Sequence, residues 1–194
     1  MSKLELTNDL NDLFARGEHA ADWYAMATDE INKYAAARGY DADSVAAVVA
    51  ILSPRVQVSR NARLAVQYME NGSTDGIMEQ RVDAILRFVR YGKITGETHG
   101  KKVFAFYRNL SGDFGHVTVD VWMSRLYGVD FDKITDAQRE EIQLDVTRIA
   151  DRTGYSPAAV QAILWVGYRS QCGHNDADGH LSLLDVVEHE GELV

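Results

Sequence analysis

Between Asp43 and Ser53 the chain reads Ser44-Val45-Ala46-Ala47-Val48-Val49-Ala50-Ile51-Leu52, a stretch that is apolar on every side when wound as a helix. A helix of that kind needs neighbours all round it, so Val45–Leu52 belongs at the centre of a fold built from other helices. Asp43 or Ser44 supplies its cap.

The rest of the chain offers those neighbours. A first helix is expected over Asn8–Arg16 with Thr7 as its cap. Ala20–Ala37 follows, with Trp23, Ala27, Ile31 and Tyr34 on one face and Gly39 as its stop. Helical spacing recurs over Val58–Met69, Ile77–Tyr91, Lys101–Leu110 and Val119–Tyr127. It recurs again over Thr135–Thr153, and from Ser156-Pro157 to Gln171 with the proline in the first turn. Residues 71–76, 92–100 and 111–117 read as turns or loops. The expectation is an all-α chain of roughly eight helices. Its 194 residues suffice for one good core, placing a single domain over 1–175 and an acidic, loosely ordered tail over 176–194.

The opening residues lack the apolar run of a signal peptide, and no stretch approaches the roughly 18 apolar residues of a membrane span. A cytoplasmic protein without membrane contact is the expectation. The single cysteine, Cys172, rules out an internal disulfide or an all-cysteine zinc or iron–sulfur site. His174 to Gly179, with Asp185 twelfth, has calcium-loop spacing, but a histidine comes first and an aspartate last. No metal and no cofactor are expected.

A net charge of −9 argues against a nucleic-acid partner, yet the charge is uneven. Residues 1–52 carry −5, residues 53–108 carry +5, and residues 109–194 carry −9. Arg55, Arg60, Arg63, Lys93, Lys101 and Arg108 fall in the basic segment, which could face duplex DNA. The acidic C-terminal half could face a protein partner. Solvated charges account for both equally well.

The chemistry-bearing stretch is residues 100–125. Gly100-Lys101-Lys102-Val103-Phe104 is followed, after a glycine loop, by Val117-Thr118-Val119-Asp120 and Arg125. Lys102 and Asp120 stand 18 positions apart. With the buried Val48–Ser53 run and Asn61 upstream, this resembles the core of the helix–hairpin–helix DNA glycosylases over about residues 45–127. The wider pattern of Trp23-Tyr24, Leu52-Ser53-Pro54, Asn61, Gly100 to Phe106 with Asn109, Val117-Thr118-Val119-Asp120, and Gln161 to Trp165 with Arg169 resembles a group of phage-borne relatives. The resemblance implies a two-lobed helical fold without an iron–sulfur cluster. It also implies a DNA base-processing activity at the base–sugar linkage of a flipped nucleotide, in a host cytoplasm if the chain is phage-encoded. In that reading Asp120 and Lys102 are catalytic. Ser53, Arg55, Arg60, Asn61, Gly96, Gly100, Lys101 and Arg108 bind DNA, and Trp23, Tyr24 and Trp122 line the base pocket.

The sequence departs from the family pattern at Thr98, where a hairpin glycine is expected, at Arg55, where a glutamine often fills the gap left by the base, and at Trp122, where a histidine is common. Each role has a physical basis of its own. A carboxylate stabilises positive charge developing on a sugar and orients water. A desolvated lysine can attack the sugar carbon. Backbone N–H groups near Gly96–Gly100 can hold a phosphate, and aromatic rings can stack on an extruded base. Asp120 is equally a plain helix cap, Lys102 a solvated lysine or a phosphate contact, the hairpin an interhelical turn, and the aromatics core. The alternative function is a non-catalytic module that keeps the fold and binds DNA or protein.

Overall fold

A computed structural model describes residues 4–174 and 179–191. Among them the regular secondary structure is all helical, with no strand. In chain order the α-helices are α1 (Leu10–Gly17), α2 (Trp23–Arg38), α3 (Ala42–Leu52), α4 (Val58–Asn71), α5 (Glu79–Tyr91), α6 (Gly96–His99), α7 (Lys101–Leu110), α8 (Val121–Leu126), α9 (Asp136–Thr153), α10 (Pro157–Gln171) and α11 (Leu183–Gly191). None of them is long and apolar enough to cross a membrane.

The chain divides into two compact units, Met1–Tyr24 with Asp113–Asp178, and Ala25–Gly112 with Gly179–Val194. The sequence suggested one domain ending at residue 175. The division is invisible in the sequence because each unit is made of two separate stretches and no linker marks a boundary.

In the first unit α1 crosses α10 at two glycines. A Cβ built on Gly17 would lie 2.0 Å from the Ile163 carbonyl oxygen, and one on Gly167 would lie 2.3 Å from that of Leu13. Backbone packs directly on backbone there, so only hydrogen fits at either position. Leu13 enters a core with Val119, Met123, Ile142, Val146, Ile149 and Leu164. α9 opens on a capping box between Thr135 and Gln138, and Ser156 caps α10 ahead of Pro157. The first helix differs from expectation. Asp9 caps α1 by accepting from the Asp12 N–H at 3.0 Å, while Thr7 is drawn to the Leu126 carbonyl, to which its hydroxyl donates at 2.8 Å.

The second unit is built round α3, whose residues Val45 to Leu52 are all buried, as an all-round apolar helix requires. α4, α5 and α7 pack on it. Its cap is Asp41, which accepts from the backbone N–H and the hydroxyl of Ser44 at 2.9 and 2.8 Å. Asp43, expected in that role, instead accepts from the Tyr107 hydroxyl at 2.7 Å. The tail also departs from expectation. Leu181 and Leu183 are buried, α11 packs on α4, and the Leu184 N–H donates to Glu30 at 2.9 Å. The acidic residues of 176–194 masked an apolar set that suffices to dock one helix.

Candidate functional site

Asp120 is fixed by the buried strip Val117-Thr118-Val119, which delivers it in extended conformation to the start of α8. It stands outside the helix as N-cap, one residue short of the expected first turn. One carboxylate oxygen accepts from the Trp122 and Met123 N–H groups, both at 2.9 Å, and the other accepts from the Trp165 indole N–H at 2.9 Å. Three N–H donors therefore orient a partly exposed anion, in the arrangement that makes charge-assisted hydrogen bonds strong. Trp122 carries the Arg125 guanidinium 5.0 Å and the Arg169 guanidinium 5.3 Å from its ring centre, and Arg169 also lies 4.5 Å from the Trp165 ring. His174 meets Trp122 edge-on at 5.0 Å. The result is an aspartate bordered by two indoles, with two guanidiniums seated on those indoles.

Trp165 and Arg169 were not among the expected site residues; both lie on α10, not on the helix that Asp120 caps. Gln161, Trp165 and Arg169 recur every four residues on α10, so they share one face. Gln161 is buried and accepts from the Tyr24 hydroxyl at 2.6 Å. A glutamine inside an otherwise apolar helix was the readable signal, since a buried amide needs a partner.

Lys102, in the second unit, is half-buried and donates to the Ser53 hydroxyl at 2.5 Å, with its ammonium 5.0 Å from the Phe106 ring centre. The Ser53 hydroxyl donates to the Ala50 carbonyl at 2.9 Å, which leaves its oxygen lone pairs to accept from the lysine. The structure thus joins two of the expected residues, Ser53 and Lys102. Arg55 and Arg60 lie together on a cleft described below.

The other expected residues are placed as follows. Asn61 is only 4% exposed and donates to the Val49 carbonyl at 3.1 Å, tying α4 to α3; it is an internal residue rather than a surface contact for DNA. Tyr24 is likewise 4% exposed, its hydroxyl held by Gln161 and, at 3.2 Å, Thr118, so it serves the core rather than an open base pocket. Trp23 is half-buried, edge-on to Tyr24. Lys101 is exposed at the start of α7 and Arg108 half-buried in its last turn. The acidic residues of the calcium-like loop, Asp176 and Asp178, lie outside the described residues, as does the His189 side chain.

The hairpin takes the form of the single-turn α6, opened by Gly96 under a Thr95 cap and broken from α7 by Gly100 at φ +91°. His99 pins α6 to α5. Its Nε2 lies 3.2 Å from the Ala84 carbonyl and so donates to it, leaving Nδ1 to accept from the Thr98 hydroxyl at 2.7 Å. Burial pushes its pKa below the ordinary 6.5, the Ala84 hydrogen bond opposes this, and Arg87 adds to the lowering. A depressed histidine pKa means that the folded state resists protonation, so stability is full above pH 6.5 and declines as pH falls through the lowered value. Thermal melts of the wild type from pH 7.5 downward should show this decline, and His99→Gln should flatten it; an unchanged slope in the variant would exclude His99 as its source.

Neither the curated proteins nor the solved structures offer a match to this chain. One family does match, described as "Family of unknown function (DUF7178)", over residues 12–172. That span runs from within α1 to the end of α10 and includes both Asp120 and Lys102. The chain belongs to this family of unknown function.

Proposed function

We propose that this protein is a DNA base-processing enzyme of the glycosylase type, with the two-lobed fold of the helix–hairpin–helix glycosylases. The reading rests on Asp120, a partly exposed carboxylate locked in place by two backbone N–H groups and an indole N–H. A fixed anion of this kind is what the breaking of an N-glycosidic bond needs. As the bond from C1′ to the base nitrogen lengthens, its electron pair leaves with the base and the sugar becomes cationic. Asp120 stabilises that cation and orients a water, which adds to C1′ while its proton goes to the departing base.

The DNA partner is drawn by the basic segment 53–108, which lies wholly within the second unit. The substrate class is a damaged or hypermodified base, and the setting is a cytoplasm, the host's if the chain is phage-encoded. Free base released from duplexes carrying uracil, oxidised, alkylated or hypermodified bases, detected by mass spectrometry, is the expected result. Its absence from the whole panel with folded protein contradicts the reading.

A second reading is favoured by one observation: both oxygens of Asp120 are engaged in capping α8 and binding Trp165. A carboxylate so used suits a non-catalytic module that binds DNA, or a protein through the acidic C-terminal half. In that case variants at Lys102 and Asp120 retain binding. DNA binding then shows its usual steep loss with salt, whereas a protein-binding module shows no salt-dependent DNA affinity at all.

A further inference from the structure

The second unit contains a cleft of about 300 Å³ on which two of the expected DNA contacts, Arg55 and Arg60, stand together. Three arginines from three different elements line it: Arg55 from the loop after α3, Arg60 from α4 and Arg81 from α5. No aspartate or glutamate lines it, and its remaining wall includes Leu52, Leu64 and Met78. Three guanidiniums lining one cleft give it a positive field that favours an anion.

Three further features point the same way. Arg55 is the single non-glycine residue with positive φ among the described residues, at +63°, a backbone state L-residues rarely adopt. The Nε of Arg81 is buried without a hydrogen-bond partner. Burial and the neighbouring Arg55 charge both push Arg81 below the usual arginine pKa, as expected of guanidiniums held close together.

We propose that this cleft binds the phosphate of a nucleoside monophosphate unit, its phosphate on Arg55, Arg60 and Arg81 and its base against Leu52, Leu64 and Met78. Guanidinium forks match phosphate oxygens in pairs. A cleft of about 300 Å³ stands at the small end of ligand pockets, which suits one nucleotide and not a dinucleotide. The unit could be a free mononucleotide or the 5′-phosphorylated end of a strand. The inference does not depend on base release by Asp120.

Titration calorimetry on the full chain tests it, with each 2′-deoxynucleoside 5′-monophosphate, the matching nucleosides, and a short oligonucleotide with and without a 5′-phosphate. The expected result is saturable binding of at least one nucleotide or of the phosphorylated strand, with its phosphate-free counterpart at least about tenfold weaker. Arg60→Gln and Arg81→Gln should each weaken that binding by about tenfold or more; Arg60 is exposed, so its variant keeps the fold if Arg81→Gln does not. Preference for the phosphorylated strand over every free nucleotide identifies a strand end as the source. Asp120→Asn should bind as the wild type does, whether or not base release is found. Equal binding of phosphorylated and phosphate-free probes, or no saturation by any of them up to about 1 mM, overturns the proposal.

Discussion

In the Asp120→Asn variant, base release is expected to fall by roughly a hundredfold or more, the scale seen when one fixed electrostatic group is removed from a transition state. The same variant has a second, structural consequence that makes it informative. Asparagine has one oxygen where aspartate has two. Its oxygen can keep the Trp122 and Met123 N–H groups, but its amide N–H₂ then faces the Trp165 indole N–H across 2.9 Å, donor against donor. An unsatisfied pair of this kind costs about 1–3 kcal/mol. Adding Trp165→Phe removes the opposing donor. The double variant is therefore expected to recover most of the stability lost in Asp120→Asn while base release stays low. Urea midpoints and single-turnover rates on the four proteins of this cycle separate the cap from the chemistry. Recovery of base release together with stability would mean that Asp120 acts only by holding α8.

The second large effect is expected at the crossing of α1 and α10. Gly167→Ala puts a Cβ 2.3 Å from the Leu13 carbonyl oxygen and 3.0 Å from its carbonyl carbon. Neither neighbour is the end of a flexible side chain, so α1 itself must withdraw from the core that Leu13 enters. Overpacking of this severity is expected at the upper end of its usual range, about 3 kcal/mol, and the roughly 1 kcal/mol that alanine gains over glycine within a helix does not offset it. Gly17→Ala meets the Ile163 carbonyl at 2.0 Å and should behave alike. Because one withdrawal of α1 relieves both clashes, the double variant should cost clearly less than the two single variants added together. Urea denaturation with an unchanged slope checks this; an effect below about 1 kcal/mol for Gly167→Ala would show that the two helices do not meet as described.

The sequence exposed the all-helical class because apolar spacing is a local property. Val45–Leu52 could be placed at the centre from eight residues alone, and the structure buries all of them. What depended on distant partners could not be read. Thr7 was a credible cap until Leu126, 119 positions away, took its hydroxyl. Asp43 was lost to Tyr107 in the same way. The docking of α11 needed knowledge that α4 had an open face, and the division into two units needed the pairing of residues 1–24 with 113–178.

The site shows the same limit. Asp120 was legible from its motif and its place before an apolar run, while the indole that binds it lies 45 positions on. Arg81 had no local signal at all, because a charged residue near the start of an amphipathic helix is ordinary until two other arginines are brought to it. Asn61 and Tyr24 erred in the opposite direction. Polar and aromatic residues invite a functional role, and only burial shows that they satisfy one another inside the protein.

The most direct test is alkali-induced scission of end-labelled duplexes after incubation with the wild type and Asp120→Asn side by side. The duplexes carry uracil, oxidised, alkylated and hypermodified bases in turn. Breaks at one class of modified base with the wild type, and few or none with Asp120→Asn, are the predicted result. Equal scission by both proteins, or none by a wild type shown to be folded, would contradict the assignment of Asp120 to base release.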